Sequence, residues 1–249
     1  FPLFLISVLI LNLSKGPDEK DIQERSQRVP MYKEERRAFI LQNGIGYFGL
    51  VGIYILLTVV RDFRDNFIVE FWAEQGYEGA PQIVTLTEIP VAITVLLIAA
   101  AGILIRKNRI AFNTGMWLTA FGAVIIILTT LLFDRGLISP VMWMITSGIG
   151  IYLPYILFHC LIFERLVALL NFKGNVGFLF YIADAVGYLG SVLVLFLKEI
   201  TGFKQSWASF FIKLNLQSAA FILLLALFAM LYFNKRFSQK KHEAAFVCP

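Results

Sequence analysis

The chain has 249 residues, of which 58% are hydrophobic and 16% are charged, and its mean hydropathy is +0.74. This composition lies outside the range of soluble domains, so it predicts an integral membrane protein. The net charge of +5 does not indicate nucleic-acid binding, because the basic residues fall in short segments between apolar runs. Two cysteines, Cys160 and Cys248, give neither a disulfide framework nor the spacing of metal ligands.

Apolar runs of membrane-spanning length divide the chain into four regions. Residues 1–12 form an apolar stub without the basic segment that opens a signal peptide, and we interpret it as the end of a truncated transmembrane helix. Residues 13–43 form a charged linker, residues 44–233 a six-helix transmembrane bundle, and residues 234–249 a basic tail. The predicted class is therefore all-α, a polytopic membrane bundle of six complete transmembrane helices plus the end of a preceding one.

The predicted spans and the basic residues between them give an orientation. In chain order, the spans cover about 44–72, 81–105, 110–133, 139–163, 175–197 and 207–233. Of the 22 lysines and arginines, 16 lie on the side of the linker and tail, and five lie on the other side. Because cytoplasmic loops carry the excess of basic residues, we expect both the linker and the tail to be cytoplasmic.

The stretch RDFRDNF at 61–67 places two Arg-Asp pairs in the outer part of the first span, and apolar residues resume after it. We expect the helix to continue past these charges, because about 40 Å of helix from Gly44 to Trp72 exceeds a hydrocarbon core of roughly 30 Å. Arg61 and Arg64 would then lie below the membrane surface, facing protein or a water-filled cavity. The alternative is a helix that ends near Val60, with the charges at the interface.

Helical spacing also predicts how these charges pair. Arg61 and Asp65 lie four residues apart on one face, which favours an ion pair between them. That pairing leaves Arg64 as the freer donor for a solute. Asp62 is a further candidate for an ion pair in this cluster.

Two carboxylates lie deeper in the predicted spans. Asp184 is near the middle of the fifth span, with Tyr181 and Tyr188 on the same helical face. Such a carboxylate either pairs with a cation, takes up a proton, or is held by hydrogen bonds in a structural role. Glu88 lies about 10 Å inside the second span and is a candidate for proton coupling or for pairing with Arg61 or Arg64.

Aromatic and imidazole groups on the fourth span are further candidates. Tyr152 and Tyr155 flank Pro154, which is expected to kink the helix, and their hydroxyls could line a cavity or pack between helices. His159 is predicted to lie near the cytoplasmic end of the span as a satisfied interface residue.

This organisation resembles the C-terminal half of a major facilitator superfamily transporter, with a helix end, a long basic linker, six spans and a cytoplasmic tail. In that superfamily the first, second, fourth and fifth helices of each half line the central cavity. The resemblance implies a cavity lined by Arg61, Arg64, Glu88, Tyr152, Tyr155 and Asp184. RDFRDNF at 61–67, FERL at 163–166 and YIADAVGYLGS at 181–191 also resemble a group of bacterial transporter-like proteins, chiefly from Bacteroidetes. The 106–109 loop departs from the superfamily's Gly-x-x-x-Asp motif.

The leading hypothesis is an inner-membrane secondary transporter that works by alternating access, is coupled to protons, and carries a small anionic solute. The predicted substrate-binding residues are Arg61, Arg64, Tyr152, Tyr155 and Tyr188, and the predicted coupling or ion-pair residues are Asp184, Glu88, Asp62 and Asp65. We predict no catalytic residue, metal or cofactor. The expected partners are the solute, the lipid bilayer and the protein's own N-terminal helices, with no nucleic acid.

Two other classes of function remain open. A non-transporting receptor or regulator would keep the fold and use the Arg-Asp cluster as an internal ionic lock. An intramembrane lipid-modifying enzyme would use His159 and Asp184 as acid and base. The predicted depths of those two residues differ by roughly 10 Å or more, which argues against the enzyme.

Overall fold

The computed structural model describes residues 2–13, 16, 31–102, 104–170, 176–200 and 206–247, and these form helices joined by turns, with no strand. Six of the described helices are long and apolar enough to cross a membrane, and the shorter helix Pro2–Leu13 precedes them. The prediction of an all-α polytopic membrane bundle is confirmed. Most of the predicted linker, residues 14, 15 and 17–30, lies outside the described residues.

The six spans follow one another with short connections. In chain order they are Lys33–Glu74, Gln82–Gly102, Asn108–Asp134, Pro140–Leu170, Val176–Ile200 and Trp207–Val247. The fourth span consists of an α-helix to Leu157, a π-helical segment Phe158–Ile162 and a further α-helix from Phe163.

Three helices are longer than hydropathy predicted. The first span begins at Lys33, inside the predicted linker, and the sixth runs to Val247 through the predicted tail. The fourth continues to Leu170 through a predicted loop. Hydropathy marks only the apolar part of a helix, whereas Lys, Arg and Glu are good helix formers that can extend it into water. At the start of the first span, Glu35 accepts a 2.5 Å hydrogen bond from the Tyr32 amide.

The first span is the central helix of the bundle. It packs against the fourth, fifth and sixth spans. At Gly46 of this helix, a Cβ would lie 2.8 Å from Phe233 of the sixth span, so the close contact there requires a glycine. The helix also continues past the Arg-Asp cluster to Glu74 as expected, with one non-helical residue, Phe67 (φ −121°, ψ 20°).

Each of the first three spans has an equivalent three positions later in the chain. Exchanging the equivalents leaves the main contacts between helices the same. The first span packs along the fifth and sixth, and its equivalent, the fourth, packs along the second and third. The first and fourth spans contact each other, as do the third and sixth. Equivalent helices are three crossings apart and therefore run in opposite directions. An inverted repeat would give this pattern of helix contacts.

The two ends of the bundle differ in charge. We call the end that carries Arg106 and Lys107 the basic end, and the opposite end, with the turns at Gly79 and Gly136, the far end. A tight turn at Gly136 follows the third span. Gly136 has φ +69°, a conformation that favours glycine, and its amide donates to the Phe133 carbonyl at 2.9 Å.

Candidate functional site

Arg64 lies at the junction of three spans and is only 1% exposed. Its Nη2 atom is 2.5 Å from Oε1 of Glu88 on the second span, and its Nη1 atom donates to the Met144 carbonyl on the fourth span at 2.8 Å. Of the two roles predicted for Glu88, proton coupling or pairing with Arg61 or Arg64, the structure shows the pairing with Arg64. The expectation that Arg64 is the freer donor is wrong, because its guanidinium joins the first, second and fourth spans.

A glycine makes room for this buried cation. A Cβ at Gly148 would lie 3.0 Å from Nη2 of Arg64 and 2.9 Å from Val91 on the second span. A larger residue at this position would push the guanidinium away from the fourth span. Gly148 therefore permits the close approach on which the Arg64–Glu88 pair depends.

Arg61 pairs with Asp62 and not with Asp65. Its Nε and Nη2 atoms donate to Oδ1 of Asp62 at 3.0 and 2.5 Å. Asp65 instead accepts a hydrogen bond from the Tyr152 hydroxyl on the fourth span. The predicted Arg61–Asp65 pair is wrong because a neighbouring helix supplies a partner that spacing within one helix cannot reveal.

The Arg61 guanidinium is flanked by two aromatic rings. Its Cζ atom lies 4.2 Å from the ring centroid of Tyr155 on the fourth span and 5.8 Å from that of Tyr188 on the fifth. A cation over an aromatic face is attracted by the ring quadrupole. Tyr188 is half exposed, so this arrangement opens toward the surface of the bundle.

A second group of polar side chains surrounds the Tyr54 hydroxyl. It lies one to two helical turns closer to the basic end than the Arg61 guanidinium. Tyr54 is fully buried and donates a hydrogen bond to Oδ1 of Asp184 on the fifth span. The hydroxyl oxygen of Tyr54 lies 2.8 Å from Nε2 of His159 and 3.3 Å from the Tyr155 hydroxyl oxygen, both on the fourth span. Three spans therefore meet at one hydroxyl.

The hydrogen count at Tyr54 fixes the direction of these bonds. A phenol has one hydrogen to donate and lone pairs to accept others. When Tyr54 donates to Asp184, its oxygen accepts from Nε2–H of His159. The result is a hydrogen-bonded chain from imidazole through phenol to carboxylate, which we call the His159–Tyr54–Asp184 chain.

His159 lies in the π-helical segment Phe158–Ile162, which begins four residues after Pro154. Its ring stacks on Phe180 of the fifth span, with centroids 4.9 Å apart. Single π-helical turns inside α-helices frequently occur at functional sites. The predicted kink at Pro154 stays a prediction, and the described departure from α-helical geometry is this π segment.

A family profile matches residues 1–236, and its description is a family of unknown function, DUF5690. The chain belongs to this family. No curated protein and no solved structure matches the chain.

Tyr155 joins the two polar groups of this DUF5690 member into one polar seam. Its hydroxyl is 3.3 Å from that of Tyr54, and its ring lies under Arg61. We use the name polar seam for the side chains of these two groups, which lie on the first, second, fourth and fifth spans. They are Tyr54, Arg61, Asp62, Arg64, Asp65, Glu88, Tyr152, Tyr155, His159, Asp184 and Tyr188.

Sequence reasoning missed Tyr54 and misplaced His159. Tyr54 stands in an apolar run without charge, and the one available signal was its position seven residues before Arg61, two turns away on the same face. The predicted separation of His159 and Asp184 is wrong, because both side chains contact the Tyr54 hydroxyl. The fourth span extends eleven residues beyond His159, so this residue is not at the end of its helix.

The polar seam of this family member consists of hydrogen-bonding and ionic side chains. Among the described residues, no group of three or more His, Cys, Asp or Glu side chains lies close enough to hold a metal ion. The described seam contains one guanidinium flanked by aromatic rings, one ion pair between a buried arginine and a partly exposed glutamate, and one chain of titratable groups. These can bind an anion, hold helices together and move a proton.

Proposed function

We propose that the protein is a secondary transporter of the major facilitator type, which works by alternating access and couples solute movement to protons. The observation that carries the proposal is the contact pattern expected of an inverted repeat, with the partly buried His159–Tyr54–Asp184 chain at the junction of the first, fourth and fifth spans. Secondary transporters are commonly built from such repeats, with the binding site near the membrane midplane where they meet.

Asp184 is the proposed proton carrier. A carboxylate inside a membrane is costly when ionised, and it can lower that cost by accepting hydrogen bonds or by taking up a proton. Protonation would weaken the bond that Tyr54 donates to Asp184 and so loosen the fifth span from the first. His159 can pass a proton through the same hydroxyl. The chain thereby links the protonation state to helix packing.

Arg61 is the proposed contact for a small anionic solute. Arg64 has its guanidinium committed to Glu88 and Met144, whereas Arg61 has an adjacent carboxylate partner and lies between the rings of Tyr155 and Tyr188. A solute carboxylate or phosphate could replace Asp62 at the guanidinium through charge-assisted hydrogen bonds. The Arg64–Glu88 pair would hold the far end together during this exchange.

We also propose a membrane location and an orientation for the bundle. The protein would lie in the bacterial inner membrane, with residues 13–43 and 234–249 facing the cytoplasm, because these segments are rich in lysine and arginine. Helices that precede this chain would form the other wall of the cavity, facing the second span and the far-end half of the fifth. Both of these spans leave most of their apolar surface exposed here.

The first experiment identifies a ligand. We would measure the unfolding midpoint of the purified full-length protein against a panel of anionic and neutral metabolites, since a ligand of the native state raises it. An anion should raise the midpoint of the native protein but not that of Arg61→Ala. If only neutral or cationic compounds raised the unfolding midpoint, the result would contradict the anion site.

The second experiment tests coupling in proteoliposomes that contain a pH-sensitive dye. The anion found by binding should drive proton movement in the native protein. Asp184→Asn and Tyr54→Phe should retain solute exchange but lose proton-driven accumulation. Unchanged accumulation in Asp184→Asn would overturn the coupling role, and binding without any flux would favour a receptor.

A lipid-modifying enzyme is the second candidate, favoured by one observation. His159 and Asp184 meet at Tyr54, so the separation that argued against an acid and base pair does not exist. Incubating the protein with labelled phospholipid tests this candidate. Product formation that His159→Ala abolishes would support it, and the absence of turnover in the native protein would reject it.

A further inference from the structure

A groove of about 530 Å³ lies at the basic end, away from the polar seam. It runs between the start of the first span and the first half of the fifth. Its walls include Arg36, Phe178, Tyr181, Ile182, Ala185 and Val186. The groove thus combines one arginine with a mainly apolar helix face.

Arg36 is held at one end of this groove. Its Nε atom donates to the Met31 carbonyl at 2.7 Å, and its Cζ atom lies 5.1 Å from the ring centroid of Phe178. These two contacts fix the plane of the guanidinium. The terminal nitrogens carry four further N–H groups, a suitable donor set for a phosphate or carboxylate.

The apolar wall follows one face of the fifth span. Phe178, Ile182, Ala185 and Val186 recur at helical spacing, and Tyr181 beside them is 77% exposed. From Phe178 to Val186 the helix rises about 12 Å toward the membrane interior. This stripe begins beside the Arg36 guanidinium and continues with apolar side chains, which matches a molecule with an anionic head and an acyl chain.

We propose that this groove binds an anionic phospholipid, with its phosphate on Arg36 and an acyl chain along the fifth span. Basic pockets between membrane helices bind anionic headgroups when they lie at the cytoplasmic surface. The groove combines the Arg36 guanidinium with an apolar helix face, and it lies at the end of the bundle that is rich in basic residues. This inference is independent of transport, because it uses none of the seam residues.

The test measures the unfolding midpoint of the full-length protein in detergent during titration with dioctanoyl phosphatidylglycerol. The native protein should gain stability as this lipid binds. Arg36→Gln should weaken the apparent affinity at least tenfold. The matched control is Arg37→Gln, which removes the neighbouring exposed arginine that does not line the groove and should leave the affinity unchanged.

A second variant tests the acyl site while the arginine stays in place. Ala185→Trp should fill the groove and also weaken binding of the lipid. Dioctanoyl phosphatidylcholine and inorganic phosphate, tested alone, should each have little effect. Equal losses in the two arginine variants, a full response to either control compound, or normal binding by Ala185→Trp would overturn the proposal.

Discussion

At the scale of single residues, the most consequential contact is the pair of Arg64 and Glu88. Arg64 is completely buried, whereas the Glu88 side chain is one-third exposed at 33%. A buried arginine inside a membrane protein requires a counter-ion, because an isolated charge is costly there. The pair joins the first and second spans, which otherwise share few contacts.

Glu88→Gln should therefore destabilise the protein by about 2–4 kcal/mol, because it keeps the shape of the side chain but leaves Arg64 buried without its counter-charge. Thermal unfolding in detergent measures the effect. Glu70→Gln removes an exposed carboxylate from the first span, the helix that carries Arg64, and should change the midpoint little. Similar midpoints for the two variants would mean that the pair contributes no net stability.

At the scale of helices, glycines decide how closely the third and fourth spans approach. Gly122 and Gly150 face each other, and a Cβ on either would lie 2.8 Å from the other's carbonyl oxygen. Backbone oxygens cannot move aside as a flexible side chain can. Small residues at such crossings let helix backbones meet and gain dispersion contacts across the interface.

Gly122→Ala should accordingly cost about 1–3 kcal/mol of stability by overpacking this crossing. Gly102→Ala is the control, because the nearest atom to its new Cβ would be Leu161 Cδ2 at 3.8 Å, an ordinary contact. Comparison of their unfolding midpoints separates crowding from the general effect of replacing glycine by alanine. Equal midpoints would contradict the crossing as described.

The end of the first span also stabilises the start of the sixth. Both carboxylate oxygens of Glu74 accept backbone hydrogen bonds, from Trp207 at 2.7 Å and Ala208 at 2.9 Å. These amides belong to the first turn of the sixth span, where a helix has unpaired N–H groups and a partial positive charge. One side chain thus ties together the ends of two packed helices.

Glu74→Gln should lower stability by about 0.5–1 kcal/mol, since an amide oxygen still accepts one hydrogen bond but the charge is lost. Glu78→Gln, in the exposed turn that follows, is the matched control. The difference between the two variants should shrink in high salt, because screening weakens exposed charge interactions. A difference independent of salt would indicate a contribution from packing alone.

At the scale of the whole molecule, the basic residues predict which end faces the cytoplasm. Lys107→Cys places a thiol at the basic end, and Arg135→Cys places one at the far end. In a background without the native cysteines, a membrane-impermeant maleimide should label Arg135→Cys in intact cells. It should label Lys107→Cys only after lysis, and the reverse pattern would invert the proposed topology.

The sequence alone determined the class of this protein and the positions of most of its polar candidates. Six apolar runs and the RDFRDNF stretch are local features, and the membrane requires each run to form a helix with its backbone bonds satisfied internally. The rarity of unpaired charge in a membrane also made pairing with an arginine one of the two roles expected for Glu88. Helix ends did not follow, because charged residues extend helices beyond their apolar part.

Only the tertiary structure decided which groups meet. Whether Asp65 bonds Arg61 or Tyr152, and whether Arg64 is free or buried, depends on how neighbouring helices rotate about their axes, which spacing within one helix does not record. Tyr54 gave only a weak signal in the sequence, its position two turns before Arg61, because a tyrosine in an apolar run is typical of a packing residue. Its role arises where three helices converge on one hydroxyl, since a hydrogen bond between helices is set by their packing and not by the local order of residues.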